Sequence, residues 1–120
     1  MPRFVVLEHD HPVLHWDLML EAGNVLRSWR LHAVPQPGRA VPASASFNHR
    51  LLYLDYEGPV SGQRGTATRW DAGVFAWRLD VPDCVELHLE GQRLQGCARL
   101  ERIAGEDWLF TLTVAESGSA

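Results

Sequence analysis

The chain has 120 residues, 46% hydrophobic and 22% charged, with five tryptophans, a composition suited to one globular domain. All eleven basic residues are arginine, which excludes Schiff-base and phosphate-loop lysine chemistry. A net charge of −4 argues against nonspecific coating of duplex nucleic acid, while an arginine-lined site could still hold a few phosphates.

Phe4 to Glu8 predicts a short apolar strand that begins almost at the amino terminus. No signal-peptide organisation precedes it and no apolar run approaches a membrane span, so a cytoplasmic location is expected. Val13 to Glu21 predicts the second strand, with Leu14, Trp16, Leu18 and Leu20 on the core side and His15 and Asp17 facing outward or into a pocket. Gly23-Asn24 marks a hairpin turn and Val25 to Leu31 the third strand. Val34 to Ser46 holds three prolines and reads as a long loop, with one helical turn at Pro42 to Ala45.

Arg50 to Tyr56 predicts the fourth strand and Glu57 to Gly62 a turn cluster. Gly65 to Trp70 is the fifth strand, Asp71-Ala72-Gly73 a tight turn, and Val74 to Asp80 the next strand. After a break at Pro82-Asp83, Cys84 to Glu90 alternates Val85, Leu87 and Leu89 with Glu86, His88 and Glu90. Leu94 to Ile103 returns, and Trp108 to Val114 closes the series. No segment sustains a 3.6-residue apolar period. The expectation is an all-β chain, a small antiparallel β-barrel of about eight strands with one long Pro-rich loop, because closure removes exposed edges. One domain is expected over residues 1–114, followed by a flexible tail over 115–120. Cys84 and Cys97 fall in neighbouring strands and are expected as buried free thiols.

His15 and Asp17 are two apart, so a strand points both to one side. The break at His11-Pro12 lets the chain bring His9 to the same spot. Two imidazoles and a carboxylate make a first shell for a divalent transition metal. The alternative from spacing alone is a hydrogen-bonded His–Asp pair on a sheet face. By the same criterion His49 is a surface histidine at a strand mouth and Tyr53 a packed ring with a wet hydroxyl. Arg39 and Arg50 are surface cations, and Glu86, His88 and Glu90 a solvated face. The tryptophans are core residues, of which one at a pocket rim could stack a base.

Phe4-Val5-Val6-x-Glu8-His9, then His15-Trp16-Asp17-x-x-Leu20-Glu21, then Val25-Leu26-Arg27-Ser28-Trp29 resembles the 3′-phosphoesterase domain family of DNA ligase D. Asn48 to Gly58, Gly62, Gly65-Thr66 and Trp70-Asp71-x-Gly73 resemble later segments of that family. The resemblance implies a small β-barrel with one Mn²⁺-type metal, zinc or another transition metal being the alternative, held by His9, His15 and Asp17. It also implies a catalytic histidine at His49 and a phosphate-holding tyrosine at Tyr53. An arginine of the family's loop has no clear match in the shortened loop here, and Arg39 is the candidate substitute. The implied activity trims 3′ ends at DNA breaks, removing a terminal ribonucleoside and then a 3′-phosphate. The implied partners are nucleic-acid 3′ ends and a DNA ligase acting in trans, with no membrane, for a short free-standing relative.

The chain departs from the family at Met19, where the family has arginine, at Gln36, where it has lysine, at Phe47, where it has an acidic residue, and at Arg50, where it has proline. Two alternatives stay open: a barrel that keeps the metal and binds nucleic-acid ends or another phosphate ligand without efficient catalysis, and, more distantly, a cupin-like enzyme on a small molecule.

Overall fold

The computed structural model describes residues 1–114, so the predicted tail lies outside the described residues. The strands are β1 Arg3–His9, β2 His15–Ala22, β3 Val25–Leu31, β4 Val41–His49, β5 Gly58–Pro59, β6 Thr66–Val81, β7 Cys84–Gly91, β8 Gln95–Ala104 and β9 Asp107–Thr113. All pairings are antiparallel, in the order β1-β2-β3-β4-β9-β8-β7-β6, and β6 pairs back onto β1 to close a barrel of eight strands. The short β5 adds an extra rung to β6. The all-β barrel expected from the turn spacing is therefore the observed fold. Among the described residues, no helix is long and apolar enough to cross a membrane.

The barrel interior is filled by Phe4, Val6, Leu18, Leu20, Trp29, Leu31, Phe75, Leu87, Leu100 and Phe110, among others. A second, smaller cluster of Val5, Leu7, Met19, Leu26, Leu54 and Ala67 lies on the outer face of the sheet, with Leu51, Tyr53 and Val60 packed against it. The amino-terminal strands are thus buried on both sides. That explains why Phe4 to Leu7 and Leu18 to Leu20 are continuously apolar rather than alternating. Each such side chain contributes about 2 kcal/mol by leaving water. The cover over the outer face also creates a sheltered place beside it.

Three predicted elements differ. Val41–His49 is a strand between β3 and β9, so the loop ends at Ala40 and no helical turn forms at Pro42. Val41 and Ala43 are buried against the core, and tertiary pairing overrides the weak strand preference of Ala and Ser. Arg50 to Tyr56 is not a strand: Leu51–Leu54 forms one 3-10 turn. Leu51 and Leu54 stand three apart, which suits a three-residue turn that lays both on the second cluster.

Asp71-Ala72-Gly73 does not reverse the chain. β6 runs unbroken for 16 residues, pairing first with β1 and then with β7, with a bulge at Trp70. The buried Asp71 carboxylate instead accepts the backbone N–H groups of Gln92, Arg93 and Leu94 at 2.8, 3.1 and 2.8 Å, closing the β7–β8 turn. Gly73 is required by contact, because a Cβ there would lie 2.1 Å from the Glu90 carbonyl oxygen.

Two smaller expectations also change. Leu14 is exposed because β2 starts at His15. Cys97 is exposed and Cys84 half-buried, where both were expected to be buried. The rung partner of Cys97 is His88, while Cys84 pairs with Glu101, so the two free thiols are not opposite each other.

Candidate metal centre

His9 closes β1 and His15 opens β2, and they face each other as register partners. Asp17 follows on the same outer face as His15, next in line toward Met19. The strand period and the pairing thus bring three ligand-type side chains to one point, with all candidate ligand atoms within 4.8 Å of one another. His15 Nε2 lies 3.1 Å and His9 Nδ1 lies 3.7 Å from Asp17 Oδ2. The two rings meet edge to face at 4.9 Å.

The other nitrogen of each ring decides what the centre lacks. His15 Nδ1 donates to the Val13 carbonyl at 2.8 Å, and His9 Nε2 donates to the Arg64 carbonyl at 2.6 Å. A carbonyl oxygen only accepts, so each of these nitrogens carries the hydrogen. In the neutral rings, His15 Nε2 and His9 Nδ1 then turn bare lone pairs toward a carboxylate oxygen, which is also an acceptor. Three acceptors converge with no protein donor between them. A proton in the 3.1 Å contact or a cation between the three groups resolves that conflict. His15 is fully buried and Asp17 nearly so, and a cation held by all three groups would offset a carboxylate charge shielded from water. A carbonyl on the outer nitrogen is the usual means of orienting a metal-binding histidine. The donor set of two nitrogens and one oxygen suits a transition metal, and the residues present fit one.

His9 is held by a local device. The turn before β6 is tied by hydrogen bonds from Val60 N to Gly65 O and from Arg64 N to Val60 O. It presents the Arg64 carbonyl to the His9 ring. Asp10 Oδ1 accepts the Thr66 N–H at 2.8 Å, clamping this turn to the residue after His9. Gly65 has φ +77°, and a Cβ there would sit 2.2 Å from Asp10 Oδ1.

His9 and Asp17 open onto a cavity of about 360 Å³ whose wall also carries Arg30, Phe47, His49, Arg50, Tyr53 and Arg64. His49 and Tyr53, predicted as site residues, line the same cavity as His9 and Asp17, with their rings edge to face at 5.8 Å. His49 Nδ1 is buried with no hydrogen-bond partner. Burial holds the His49 pKa below its ordinary value, with Asp17 and the Phe47 backbone opposing the effect and Arg30 and His9 adding to it.

Arg39 is not brought to this cavity. It is exposed in the connection before β4, where the neighbouring Gly38 N–H bonds to the Leu112 carbonyl at the far strand β9. Arg30 was missed in the sequence. Its Nε is 4.0 Å from Asp17 Oδ1, and that Nε is buried without a hydrogen-bond partner. The signal was present: a two-residue turn at Gly23-Asn24 sets Asp17 opposite Arg30. Arg50, read as a surface residue, stands exposed on the cavity wall.

Residues 7–102 match the family described as the DNA Ligase D 3′-phosphoesterase domain. The chain belongs to that family. It is 33% identical over 121 aligned positions, covering 88% of the chain, to the multifunctional non-homologous end joining DNA repair protein LigD of Mycobacterium tuberculosis. It is 32% identical over 130 positions, covering 98% of the chain, to the multifunctional non-homologous end joining protein LigD of Pseudomonas aeruginosa. The chain spans 15–16% of the length of these curated relatives. In this member of the 3′-phosphoesterase family, Met19 is buried beside Val5 and Leu7, so it belongs to the second apolar cluster. A guanidinium instead approaches Asp17 from the neighbouring strand β3, on Arg30.

Proposed function

We propose that this chain is a divalent-metal-dependent phosphoesterase acting on nucleic-acid 3′ ends in DNA repair, with Mn²⁺ as the metal and His9, His15 and Asp17 as its ligands. The observation that carries it is the meeting of three acceptors, two ring nitrogens and a carboxylate oxygen, without a donor among them. A divalent cation bound there supplies polarisation of a phosphoryl oxygen and a bound water of lowered pKa.

The chain's own residues do the rest. Arg30 neutralises Asp17 on its outer oxygen and offers N–H groups to a phosphate, with Arg50 and Arg64 on the same wall. His49 stands on the same wall, where a bound phosphate lies beside its ring. The anionic phosphate also raises the proton affinity of the His49 ring, so that it donates to the leaving oxygen as general acid. Tyr53 packs edge-on against His49, restrains its ring and helps to seat the phosphate. Arg39 has a place in this scheme only if its loop reaches the substrate outside the cavity. Residues 1–114 act as one unit, in the cytoplasm, on ends that a DNA ligase then seals.

A second proposal, a barrel that binds metal and phosphate ends without turnover, is favoured by Met19, an apolar residue where the family carries arginine. One experiment separates the two. The purified chain is loaded with Mn²⁺ and incubated with a 5′-labelled primer ending in a ribonucleotide or a 3′-phosphate. The expected outcome is Mn²⁺-dependent shortening or dephosphorylation that disappears in His9→Ala and Asp17→Ala. Product that persists with EDTA or in both variants refutes the mechanism, and metal binding without product favours the second proposal.

A further inference from the structure

Phe47 lines the cavity wall yet is 75% exposed. A lone exposed phenylalanine is ordinary on a surface, but this one is held in place. It is two residues from His49 in β4, at a point where the strand's register slips against β3, a bulge that re-aims side chains at the rim. Its ring stacks on the His49 imidazole, with 4.7 Å between centroids and 19° between planes. His49 in turn meets Tyr53 edge-on. The three rings form a series that starts at half-buried Tyr53 and ends at the exposed Phe47, whose second face is open.

An open aromatic face beside a phosphate-gripping wall has the shape of a nucleotide, a flat base joined to an anion. Arg30, Arg50 and Arg64 supply the anion side of the same cavity. Aromatic faces take any base, because every base has a π-face. We infer that Phe47 is the stacking platform for the base of the strand's terminal nucleotide. The base leaves its neighbour in the strand and continues the ring series while its phosphate enters the cavity. This inference rests on the nucleic-acid-end proposal above.

The test reads binding apart from turnover. Two 5′-fluorescein single strands are made with a non-hydrolysable methylene phosphonate at the 3′ end. They differ only in the last residue, a purine nucleotide in one and a tetrahydrofuran abasic residue in the other. Fluorescence anisotropy with the Mn²⁺-loaded chain gives the two dissociation constants. The expected result is about ten-fold tighter binding of the base-bearing end. Phe47→Ala brings the ratio close to one, and Phe47→Trp keeps it.

Equal binding of the two ends by the unaltered chain, no binding of either, or an undiminished ratio in Phe47→Ala overturns the inference. A preference for the base without phosphate release from an ordinary 3′-phosphate end defeats the phosphoesterase proposal and leaves the stacking platform standing. Release of phosphate at equal rates from base-bearing and abasic ends, with no preference in binding, does the reverse.

Discussion

An imidazole partly withdrawn from water resists protonation because the charged form loses more hydration than the neutral one. His49 is such a group: its folded-state pKa lies below the ordinary value of 6.5, chiefly through burial. The sign for stability follows. As pH falls past 6.5, the unfolded chain takes up this proton first, so the metal-free fold loses stability until the folded-state value is passed. In EDTA, lowering pH from about 7.5 to about 5.5 should reduce the urea midpoint of the unaltered chain more than that of His49→Gln. Equal losses in the two proteins would show that His49 is not the group responsible.

At the scale of the element, the turn before β6 matters because its Arg64 carbonyl orients the His9 ring. Gly65 occupies a left-handed conformation with Asp10 pressed against the site of its missing side chain. Gly65→Ala adds backbone strain of about 1–2 kcal/mol. It also pushes on the Asp10 clamp, so the Arg64 carbonyl no longer fixes the His9 ring. Loss of such an orienting partner should weaken Mn²⁺ binding about ten-fold by calorimetry. Gly38→Ala is the control: its φ of +75° brings similar strain, but nothing lies within 4 Å of the added atom. If both variants lose affinity alike, the cause is general strain and not the His9 contact.

On the scale of the whole molecule, the barrel is joined at the corner where β6 leaves β1 and takes up β7. Asp71 sits there, buried, accepting three backbone N–H groups of the β7–β8 turn. Asp71→Ala leaves those donors without their acceptor. It should lower unfolding free energy by about 3 kcal/mol, read as a lower urea midpoint with an unchanged slope. A change below about 0.5 kcal/mol would mean that water replaces the carboxylate and that the corner does not depend on it.

Much of this was legible in one dimension. Alternation in Trp16, Leu18 and Leu20 set the inner face of β2, and the two-residue spacing put His15 and Asp17 on the other. Glycines and polar clusters marked most reversals, and frequent turns without helical periodicity specified an antiparallel barrel. Where local signals misled, a tertiary contact had reused them. Asp71-Ala72-Gly73 has turn composition, yet its carboxylate serves a different turn and its glycine admits a neighbouring strand. Pro42 to Ala45 has loop composition, but two flanking strands pair with it.

The sequence by itself determined the candidate metal-binding side chains, their spacing and the barrel class, because these depend on chemistry and on a backbone period of two. Only the tertiary structure decided that the outer face is covered by residues 51–60, that Arg30 rather than Arg39 meets the cavity, and that Phe47 stacks on His49. Those outcomes depend on register, on a bulge and on one docked 3-10 turn, which arise from contacts between segments distant in the chain.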